Sequence, residues 1–425
     1  MGIDAKCGNG MKPVSVGLTA SILCLAISNC TETLGNINTD TDTDADAVRD
    51  SETENDFTTG GDSDRIGGSG IDTDFDTDFI DSNWTREIVG TYSRFYEIKI
   101  GDARNDGVNR LYSAGFNGNL IEWSFVINGT WEKRYCGGVT DNVDEVENRL
   151  IGIWIGPGRN DGINRIYAAD VNGDTYEFSY NQSLDEWEMI AIGLGNFQTG
   201  IVVGDVRNDG VTRVVSTGFA VSVTEYFWKG GAWMTTAVSD GPRNIWPPSL
   251  GSARNDGYNR LYCPDWGAPY LREYSWNGAG FEEQAIETFN KLVKTVTGDG
   301  RNDGIQRVYA SEMMGHVIEF SAIGNGEWEQ LDILAGQEAN HSRYGLYLGK
   351  THTDTANRIY SVAQGGRLRE HSFENDAWAN TVIDAVSGAT ADLTVGNGRN
   401  DNINRLYVAG SNGVLFEYTR AEFAQ

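Results

Sequence analysis

Seven copies of one short phrase constrain the fold of this chain more than any other feature of its sequence. The phrase is Gly-x-x-Arg-Asn-Asp-Gly, with a degenerate sixth copy and a near-complete seventh, and its copies begin at Gly101, Gly156, Gly204, Gly251, Gly298, Gly349 and Gly396. Successive copies are 47 to 55 residues apart. A period of this length predicts a solenoid, an array or a propeller in which each copy is one supersecondary unit.

Each copy contains the same four segments. An apolar run precedes the glycine, and Asn-Arg-apolar-Tyr or a close variant follows the phrase. A Glu beside an aromatic residue marks the third segment, and a Trp or Phe opens the fourth. Short aromatic-rich segments separated by Gly and Asn turns are typical of antiparallel strands. Each copy therefore predicts one four-stranded sheet of the size of a propeller blade.

The first and last segments of the repeat region predict how the sheets are arranged. The seventh copy has its third segment at 417–419 but no fourth, whereas residues 83–90 match the fourth-segment pattern of 186–193. An N-terminal strand that completes the last sheet closes a ring and hides its edges, which an open solenoid does not need. We therefore expect an all-β, seven-bladed β-propeller of four-stranded antiparallel blades over residues 83–425.

Residues 1–30 are typical of an export signal. Lys12 precedes an apolar run from Val14 to Ile27 that is too short to span a membrane comfortably. Residues 25–30 resemble a bacterial lipobox, although Asn29 stands where Gly or Ala is usual. We therefore predict an exported protein of the cell envelope, lipid-anchored at Cys30 or extracellular. An ordinary cleaved signal with an incidental cysteine is the alternative.

Residues 31–82 form an acidic segment rich in Thr-Asp alternation, with sixteen acidic and two basic residues. Such a segment has too little apolar surface to offset the entropy of ordering, so it predicts a disordered linker that tethers the propeller. The whole chain has a net charge of −28. A strongly acidic protein repels phosphate backbones, which argues against nucleic acid as a partner.

The loop that contains the repeated phrase resembles the calcium loop of FG-GAP/VCBS-type propeller repeats. That resemblance implies oxygen ligands at loop positions one, three and five. Position one is acidic in only three copies, position three reads as Arg in six copies and as Thr351 in the sixth, and position nine is Arg in all seven. Because a guanidinium cannot bind a cation, we predict that arginine has replaced the metal and that no cofactor is needed. Calcium retained in a few blades is the alternative, with the ligands Asp102, Asp106, Asp205, Asp209, Asp299 and Asp303.

Two more features predict structural roles inside the blades. Every copy has an Arg at the start of the second segment and a Glu in the third, from Arg110 and Glu122 to Arg405 and Glu417, so a cross-strand ion pair is expected. Five cysteines are too few for a disulfide scaffold. Cys136 and Cys263 lie three copies apart, which predicts two free, packed thiols.

The sequence contains no recognisable catalytic constellation. Its four histidines, His316, His341, His352 and His371, lack metalloprotease spacing, and neither a Gly-x-Ser-x-Gly elbow nor a Walker-type loop is present. The Glu residues recur with the blades, as structural residues do. We therefore predict a protein that is not an enzyme. A secreted carbohydrate-active lyase or hydrolase and a structural coat component are the alternatives.

The fourth copy departs from the pattern where a propeller places its ligand-binding loops. Trp246, Trp266 and Tyr270 are extra aromatic residues there, flanked by prolines. Such residues suit stacking on a sugar or packing on a protein, with local packing as the alternative. We predict a monomeric, non-catalytic binding or scaffold module for a protein or carbohydrate ligand. The channel mouth near Lys99, Trp154 and Tyr347 is the second candidate site.

Overall fold

The computed structural model describes residues 80–139, 149–193, 197–334, 343–363, 367–385, 390–410 and 412–423. The predicted signal, Cys30, most of the predicted linker and His341 lie outside these residues. Helix is confined, within the described residues, to one short 3₁₀ turn at Ala421–Phe423. That part of the chain contains no helix long and apolar enough to cross a membrane.

Seven antiparallel sheets of four strands each, one with a short additional strand, confirm the predicted all-β propeller. From the innermost strand outwards, the strands are Phe95–Gly101, Arg110–Gly115, Asn119–Phe125 and Trp131–Gly138 in blade 1; Leu150–Gly156, Arg165–Asp170, Thr175–Asn181 and Glu186–Gly193 in blade 2; Gln198–Gly204, Arg213–Val221, Thr224–Lys229 and Ala232–Ala237 in blade 3; Ser249–Gly251, Arg260–Asp265, Tyr270–Trp276 and Phe281–Glu287 in blade 4; Leu292–Gly298, Arg307–Glu312, Val317–Gly324 and Glu327–Asp332 in blade 5; Arg343–Gly349, Arg358–Ala363, Arg367–Glu374 and Ala377–Ala385 in blade 6; and Thr390–Gly396, Arg405–Gly410, Val414–Arg420 and Trp84–Thr91 in blade 7.

The N-terminal strand Trp84–Thr91 closes the ring as predicted, because it pairs antiparallel with Val414–Arg420 and becomes the outer strand of blade 7. The chain just before this strand also contacts blade 6. The backbone of Ile80 forms a β-bridge with that of Asp384, and the Arg86 guanidinium binds the Asp384 carboxylate at 2.8 Å. The N-terminal segment therefore joins the sixth blade to the seventh while it completes the seventh.

Burial decreases from the inner strands to the outer strands of a blade. The second strand of blade 2 is buried along its whole length, whereas the outer strand of the same blade is mostly exposed. Second-strand tyrosines also contact the outer-strand Trp of the next blade. Five such pairs have ring centroids 5.9 Å apart and near-perpendicular rings: Tyr112–Trp187, Tyr167–Trp233, Tyr262–Trp328, Tyr309–Trp378 and Tyr407–Trp131. The aromatic residue that opens each fourth segment therefore packs between blades.

Glycine allows the inner strands to approach one another around the axis. A Cβ on Gly200 would lie 2.4 Å from the Cα of Pro247, and a Cβ on Gly152 would lie 2.9 Å from the Cα of Gly200. No larger residue fits such contacts without moving the backbone. Away from the axis, Cys136 and Cys263 are both buried and free, which confirms the two packed thiols.

Removal of the closing strand tests this architecture. We expect deletion of residues 1–91 to lower the free energy of unfolding by more than about 4 kcal/mol, because the deletion removes the buried ring of Trp84 and exposes a sheet edge. Chemical denaturation followed by circular dichroism measures the change. Deletion of residues 1–79 is the matched control and should change the stability little. Equal stability of the two truncations would contradict ring closure by this strand.

Candidate functional site

The repeated phrase forms a tight loop between the first and second strands of each blade. In blade 1, Asn105 and Gly107 have φ angles of 58° and 81°, a conformation that Asn and Gly adopt most readily. The carboxylate of Asp102 accepts hydrogen bonds from the backbone N–H groups of Asp106 and Gly107, at 3.1 and 2.8 Å. The loop therefore folds around its own polar groups.

The arginine of the phrase binds the third-strand glutamate of the same blade. In blade 1, Arg104 donates from Nε at 2.7 Å and from Nη2 to the Glu122 carboxylate, whose side chain has no exposed surface. Arg110, the expected partner, lies 3.8 Å from Glu122 and instead donates both Nη groups to Asp106 at 2.9 and 2.8 Å. The same loop pairing recurs as Arg159–Glu177, Arg207–Glu225, Arg254–Glu273, Arg301–Glu319 and Arg399–Glu417. The predicted cross-strand ion pair is therefore present, at 2.9 to 3.8 Å in the seven blades, and the prediction missed the loop arginine as a second, closer partner of the glutamate.

The sixth blade corrects the predicted loop alignment. His352, and not Thr351, occupies the place of the loop arginine, since its Nε2 lies 2.8 Å from the Glu370 carboxylate. Thr351 is buried, and its hydroxyl shares a hydrogen bond with Tyr360. Alignment on Gly349 and the second-strand arginine gives this register, which the degenerate sequence of the loop obscured.

The loops also fasten each blade to the next. The Arg104 guanidinium lies 4.3 Å from the ring centroid of Tyr180 in blade 2, and Arg159 lies 4.1 Å from that of Trp228 in blade 3. The Asn105 side chain donates to the backbone oxygen of Asn164 at 2.9 Å and accepts from its N–H at 2.7 Å. Cation–π stacking and paired hydrogen bonds thus fix the angle between neighbouring blades.

The loop residues do not fit a calcium ion. Both oxygens of Asp106 accept from the Arg110 guanidinium, whose positive charge opposes a cation at the same carboxylate, and those of Asp102 accept from the backbone. Hydrogen bonds from the second-strand arginines hold the pKa of Asp106 below its usual range and lower those of Asp209 and Asp303 to about 2. The described residues contain no group of three or more potential metal-ligating side chains. The calcium alternative therefore has no geometric support.

A serine, a histidine and an asparagine meet in blade 6. The Ser361 hydroxyl lies 2.7 Å from Nε2 of His371, whose Nδ1 lies 2.5 Å from the Asn380 side-chain oxygen. The order of these three side chains resembles that of the nucleophile, the base and the orienting group in a catalytic triad. Ser361 and His371 are completely buried, however, and blade 1 has the equivalent bond from Trp123 to Ser113. This trio is a packing arrangement of the repeat that a substrate cannot reach.

The opposite face of the propeller carries the connections between blades and between second and third strands, and we call it the loop face. Its most irregular part joins blades 3 and 4. There the extra strand Arg243–Asn244 pairs with the second strand of blade 3, and Ile245 bridges to Asp265 of blade 4. This segment fixes the two blades together and holds the aromatic residues between them in place.

Four aromatic rings of the loop face form a continuous chain, Phe197–Phe219–Trp246–Trp266. Successive ring centroids are 5.2, 5.4 and 5.6 Å apart. The indole N–H of Trp246 is buried without a hydrogen-bond partner in the described residues. Trp266 ends the chain, half-buried under the Lys291 ammonium group at 5.4 Å.

Tyr270 lies outside this chain among the described ring contacts, and its ring instead packs near the guanidinium of Arg272, at 5.4 Å. The structure thus brings together two of the three predicted binding residues. It adds two apolar side chains of the loop face that the sequence reasoning missed, Phe289 at 89 % and Met314 at 42 % exposure. Their signal was weak, because a single apolar residue in a turn is not unusual.

The central channel contains a compact ion-pair network. Glu97, Lys294 and Asp392 follow a bulge at the same point of the inner strand in blades 1, 5 and 7. Lys99 binds Glu97 and lies 3.8 Å from Asp392, while Lys294 binds Asp392 and lies 3.6 Å from Glu97. Two cations balance two anions, so the network carries no net charge.

This network borders a cavity of about 290 Å³ that Trp154 and Tyr347 also line. The ammonium group of Lys99 lies 5.7 Å from the Trp154 ring. Burial alone lowers the pKa of Lys99, but the charges of Glu97 and Asp392 outweigh this effect and raise it above its ordinary value. The second candidate site is therefore a real cavity, and its charged groups already satisfy one another.

Comparison with known proteins identifies the fold and no family. No protein-family model matches the chain, and no curated protein matches it. Among solved structures, BBS1N in complex with ARL6DN is 14 % identical, with a TM-score of 0.56, and the match covers 81 % of this chain and 99 % of that one. YCF48 bound to D1 peptide is 13 % identical, with a TM-score of 0.53, and the match covers 79 % and 95 %. YCF48 from Cyanidioschyzon merolae is 12 % identical, with a TM-score of 0.53, and the match covers 80 % and 99 %. The FG-GAP/VCBS resemblance gains no support, and the shared feature is the propeller.

Loss of one buried glutamate tests the role of the loops. We expect Glu225→Ala to lower the free energy of unfolding by about 3–5 kcal/mol, because it leaves the Arg207 guanidinium without its carboxylate and removes one of the carboxylates that Arg213 contacts. Urea denaturation of the full chain measures the loss. EDTA should leave the unfolding midpoint of the unmodified protein unchanged, since protein groups occupy the place of a metal.

Glu188→Ala provides the control, because Glu188 is exposed on the outer strand of blade 2. Its effect should stay within about 0.5 kcal/mol. Equal effects of the two glutamate substitutions, or strong stabilisation by millimolar calcium, would contradict the assignment of arginine as the group that replaces the metal.

Proposed function

We propose that this protein is a non-catalytic binding module of the cell surface that engages a protein partner through the loop face of blades 3 to 5. The single observation that carries the proposal is the apolar surface there. Phe289 is 89 % exposed, two residues before Lys291, whose ammonium group lies over the half-buried Trp266 ring, in the part of the ring where the blades depart from the repeat. Exposed aromatic residues on a rigid frame are typical of interaction hot spots.

The frame beneath this surface supports the proposal. The N–H of Thr288 binds the oxygen of Pro269 at 2.8 Å, and that of Met313 binds the oxygen of Lys291 at 3.1 Å. These bonds tie the loop that carries Phe289 to blades 4 and 5 on either side. A pre-ordered loop loses little entropy on association, so its contacts contribute more to affinity.

The solved propellers of similar shape also favour binding over catalysis. BBS1N is in a complex with ARL6DN, and YCF48 is bound to D1 peptide. At 13–14 % identity these structures carry only the architecture to the present chain. They support the proposal because each propeller presents a surface to a macromolecular partner.

Export and lipid anchoring belong to the same proposal and rest on residues 1–30. A basic residue, a short apolar run and a lipobox-like ending at Cys30 favour secretion followed by lipidation. The acidic segment 31–82 would then hold the propeller away from the membrane, where its loop face meets partners in solution.

Substitution of Phe289 tests the binding surface. We expect Phe289→Ala to weaken binding of the partner about ten- to a hundredfold, because an aromatic anchor of an interface contributes about 1–3 kcal/mol. Partners captured by the full chain through photo-crosslinking at Lys291 provide the ligand, and biolayer interferometry measures its affinity. The thermal midpoint should not change, since the ring is exposed.

Ile127→Ala is the matched control. Ile127 is fully exposed on the opposite face, in the turn between the third and fourth strands of blade 1. Its substitution should leave partner binding unchanged. Equal affinity of the Phe289 and Ile127 variants would place the site elsewhere.

Anchoring is tested by Cys30→Ser. We expect this substitution to move the protein from the membrane fraction to the soluble fraction of a bacterial host that processes lipoproteins, because the thiol is the site of lipid attachment. Immunoblots of the separated fractions measure the distribution, and Cys24→Ser is the control. Unchanged membrane association of the Cys30 variant would contradict the lipid anchor.

A further inference from the structure

The outer strand of blade 3, Ala232–Ala237, has a sheet edge that the rest of the described chain leaves open. The strand pairs on one side with Thr224–Lys229, and no described strand or bridge lies on its other side. All its residues are exposed except the half-buried Trp233. An open edge of this kind presents unpaired backbone N–H and C=O groups to other chains.

The other outer strands are protected in ways that blade 3 lacks. Those of blades 1, 2, 4, 5 and 7 each contain two or three charged residues. The outer strand of blade 6, Ala377–Ala385, has the single charged residue Asp384, but Ile80 pairs with it there. Proteins use such charges and covering segments to prevent strand addition at an edge. The outer strand of blade 3 reads Ala-Trp-Met-Thr-Thr-Ala, with neither a charge nor a proline.

The edge of blade 3 is also regular. Its pairing with the third strand has no shift of register, whereas the outer pairs of blades 1, 2, 5, 6 and 7 each contain one. A bulge twists an edge and makes it a poor template for another strand. Blade 4 shares the regular pairing, but its outer strand contains Glu282, Glu283 and Glu287. Among the seven outer strands that the structure describes, only that of blade 3 is both uncharged and regular.

The register identifies the backbone groups that face outwards. The N–H of Val238 donates to the oxygen of Val223 at 2.7 Å, which makes these two residues a hydrogen-bonded pair. Hydrogen-bonded and non-hydrogen-bonded pairs alternate along an antiparallel ladder. Trp233, Thr235 and Ala237 therefore direct their N–H and C=O groups away from the sheet. These three residues form a template for one added strand.

Acidic side chains flank this edge on both sides. The outer strand of blade 2 exposes Glu186 and Glu188, and that of blade 4 exposes Glu282 and Glu287. Lys229 is an exposed cation in the adjoining turn of blade 3. Carboxylates therefore outnumber ammonium groups around the edge, which favours a strand that carries basic residues.

We propose that the outer strand of blade 3 binds an extended basic segment of a partner protein by strand addition. The backbone of the partner pairs with the three outward-facing residues, and its side chains meet the glutamates of blades 2 and 4. Charge opposes two other occupants, namely a second copy of this chain, with its net charge of −28, and the acidic segment 31–82. The inference goes beyond the proposed function and does not rest on it, since the loop face is not involved.

Isothermal titration calorimetry of the full chain with model peptides tests the proposal. The probe is the capped octapeptide Lys-Lys-Val-Thr-Val-Thr-Lys-Lys. One control peptide has Glu in place of each Lys, and the other is the basic peptide with every backbone nitrogen methylated. We expect the probe to bind about tenfold or more tightly than either control, because backbone pairing and opposite charge both contribute. Equal binding of the three peptides, or no binding of the probe, would overturn the proposal.

Hydrogen–deuterium exchange locates the bound probe. Exchange of the backbone N–H groups at 232–237 should slow when the basic peptide is added, because the outward-facing groups become hydrogen-bonded. Exchange in the outer strand of blade 5, Glu327–Asp332, is the control and should not change. Slower exchange only outside 232–237 would place the peptide elsewhere and contradict strand addition to blade 3.

Two substitutions at one position test the backbone contact. Thr235→Pro removes an outward-facing N–H and should weaken the probe about tenfold or more, while the pairing with the third strand stays intact. Thr235→Val is the matched control, because it keeps the N–H and should bind the probe as the unmodified protein does. Thr235→Lys serves if the proline variant unfolds, since the added positive charge should weaken the basic peptide and strengthen the acidic one.

Each remaining result also bears on the proposal. Equal binding of the probe by Thr235→Pro and Thr235→Val would overturn the backbone contact. Sedimentation velocity should show a monomer, and self-association that Thr235→Pro removes would identify a second copy as the occupant in place of a basic partner. Phe289→Ala should leave peptide binding intact. Failure of this proposal and failure of the loop-face proposal are therefore separate outcomes.

Discussion

The buried third-strand glutamate is the group around which each blade is organised. In blade 1 the Glu122 carboxylate has no exposed surface, so it has to be paired, and Arg104 supplies two parallel hydrogen bonds. The same guanidinium stacks on a ring of the next blade. One arginine therefore satisfies a buried charge, closes a loop and sets the contact between blades. A propeller of seven blades needs a uniform angle between neighbours, and this unit provides it.

The arginine loops lie on one face of the propeller only. The loops of one face are used to hold the ring together, and they are nearly alike in all blades because each does the same work. The loops of the opposite face do not hold the ring together, and there the sequences of the blades diverge. The extra strand Arg243–Asn244, the chain of rings that ends at Trp266 and the exposed Phe289 all lie on that face or close to it. Binding is therefore expected where the repeat is least regular.

The central channel contains a feature that occurs once, although it is built from positions that recur in every blade. Around the channel, the position that follows the inner-strand bulge is Gly152 in blade 2 and Gly345 in blade 6, where the neighbouring strand leaves no room for a side chain. In blades 1, 5 and 7 the same position is Glu97, Lys294 and Asp392, which meet with Lys99 in a neutral network. Residues almost 300 positions apart are brought together because they share one place in the repeat.

The period, the four-segment pattern and the strand displaced to the N-terminus determined the propeller, its blade number and its closure from sequence alone, because each is a local signal repeated seven times. The recurring Arg and Glu residues likewise predicted ion pairs inside the blades. How two arginines share one carboxylate was decided by the tertiary structure, since the loop folds back so that Arg104 binds Glu122 at hydrogen-bond distance while Arg110 lies 3.8 Å from it. The same holds for the candidate sites. Trp246 and Trp266 were predictable as departures from the pattern, but the exposure of Phe289 and the channel network depend on how the blades are arranged, which no single repeat encodes.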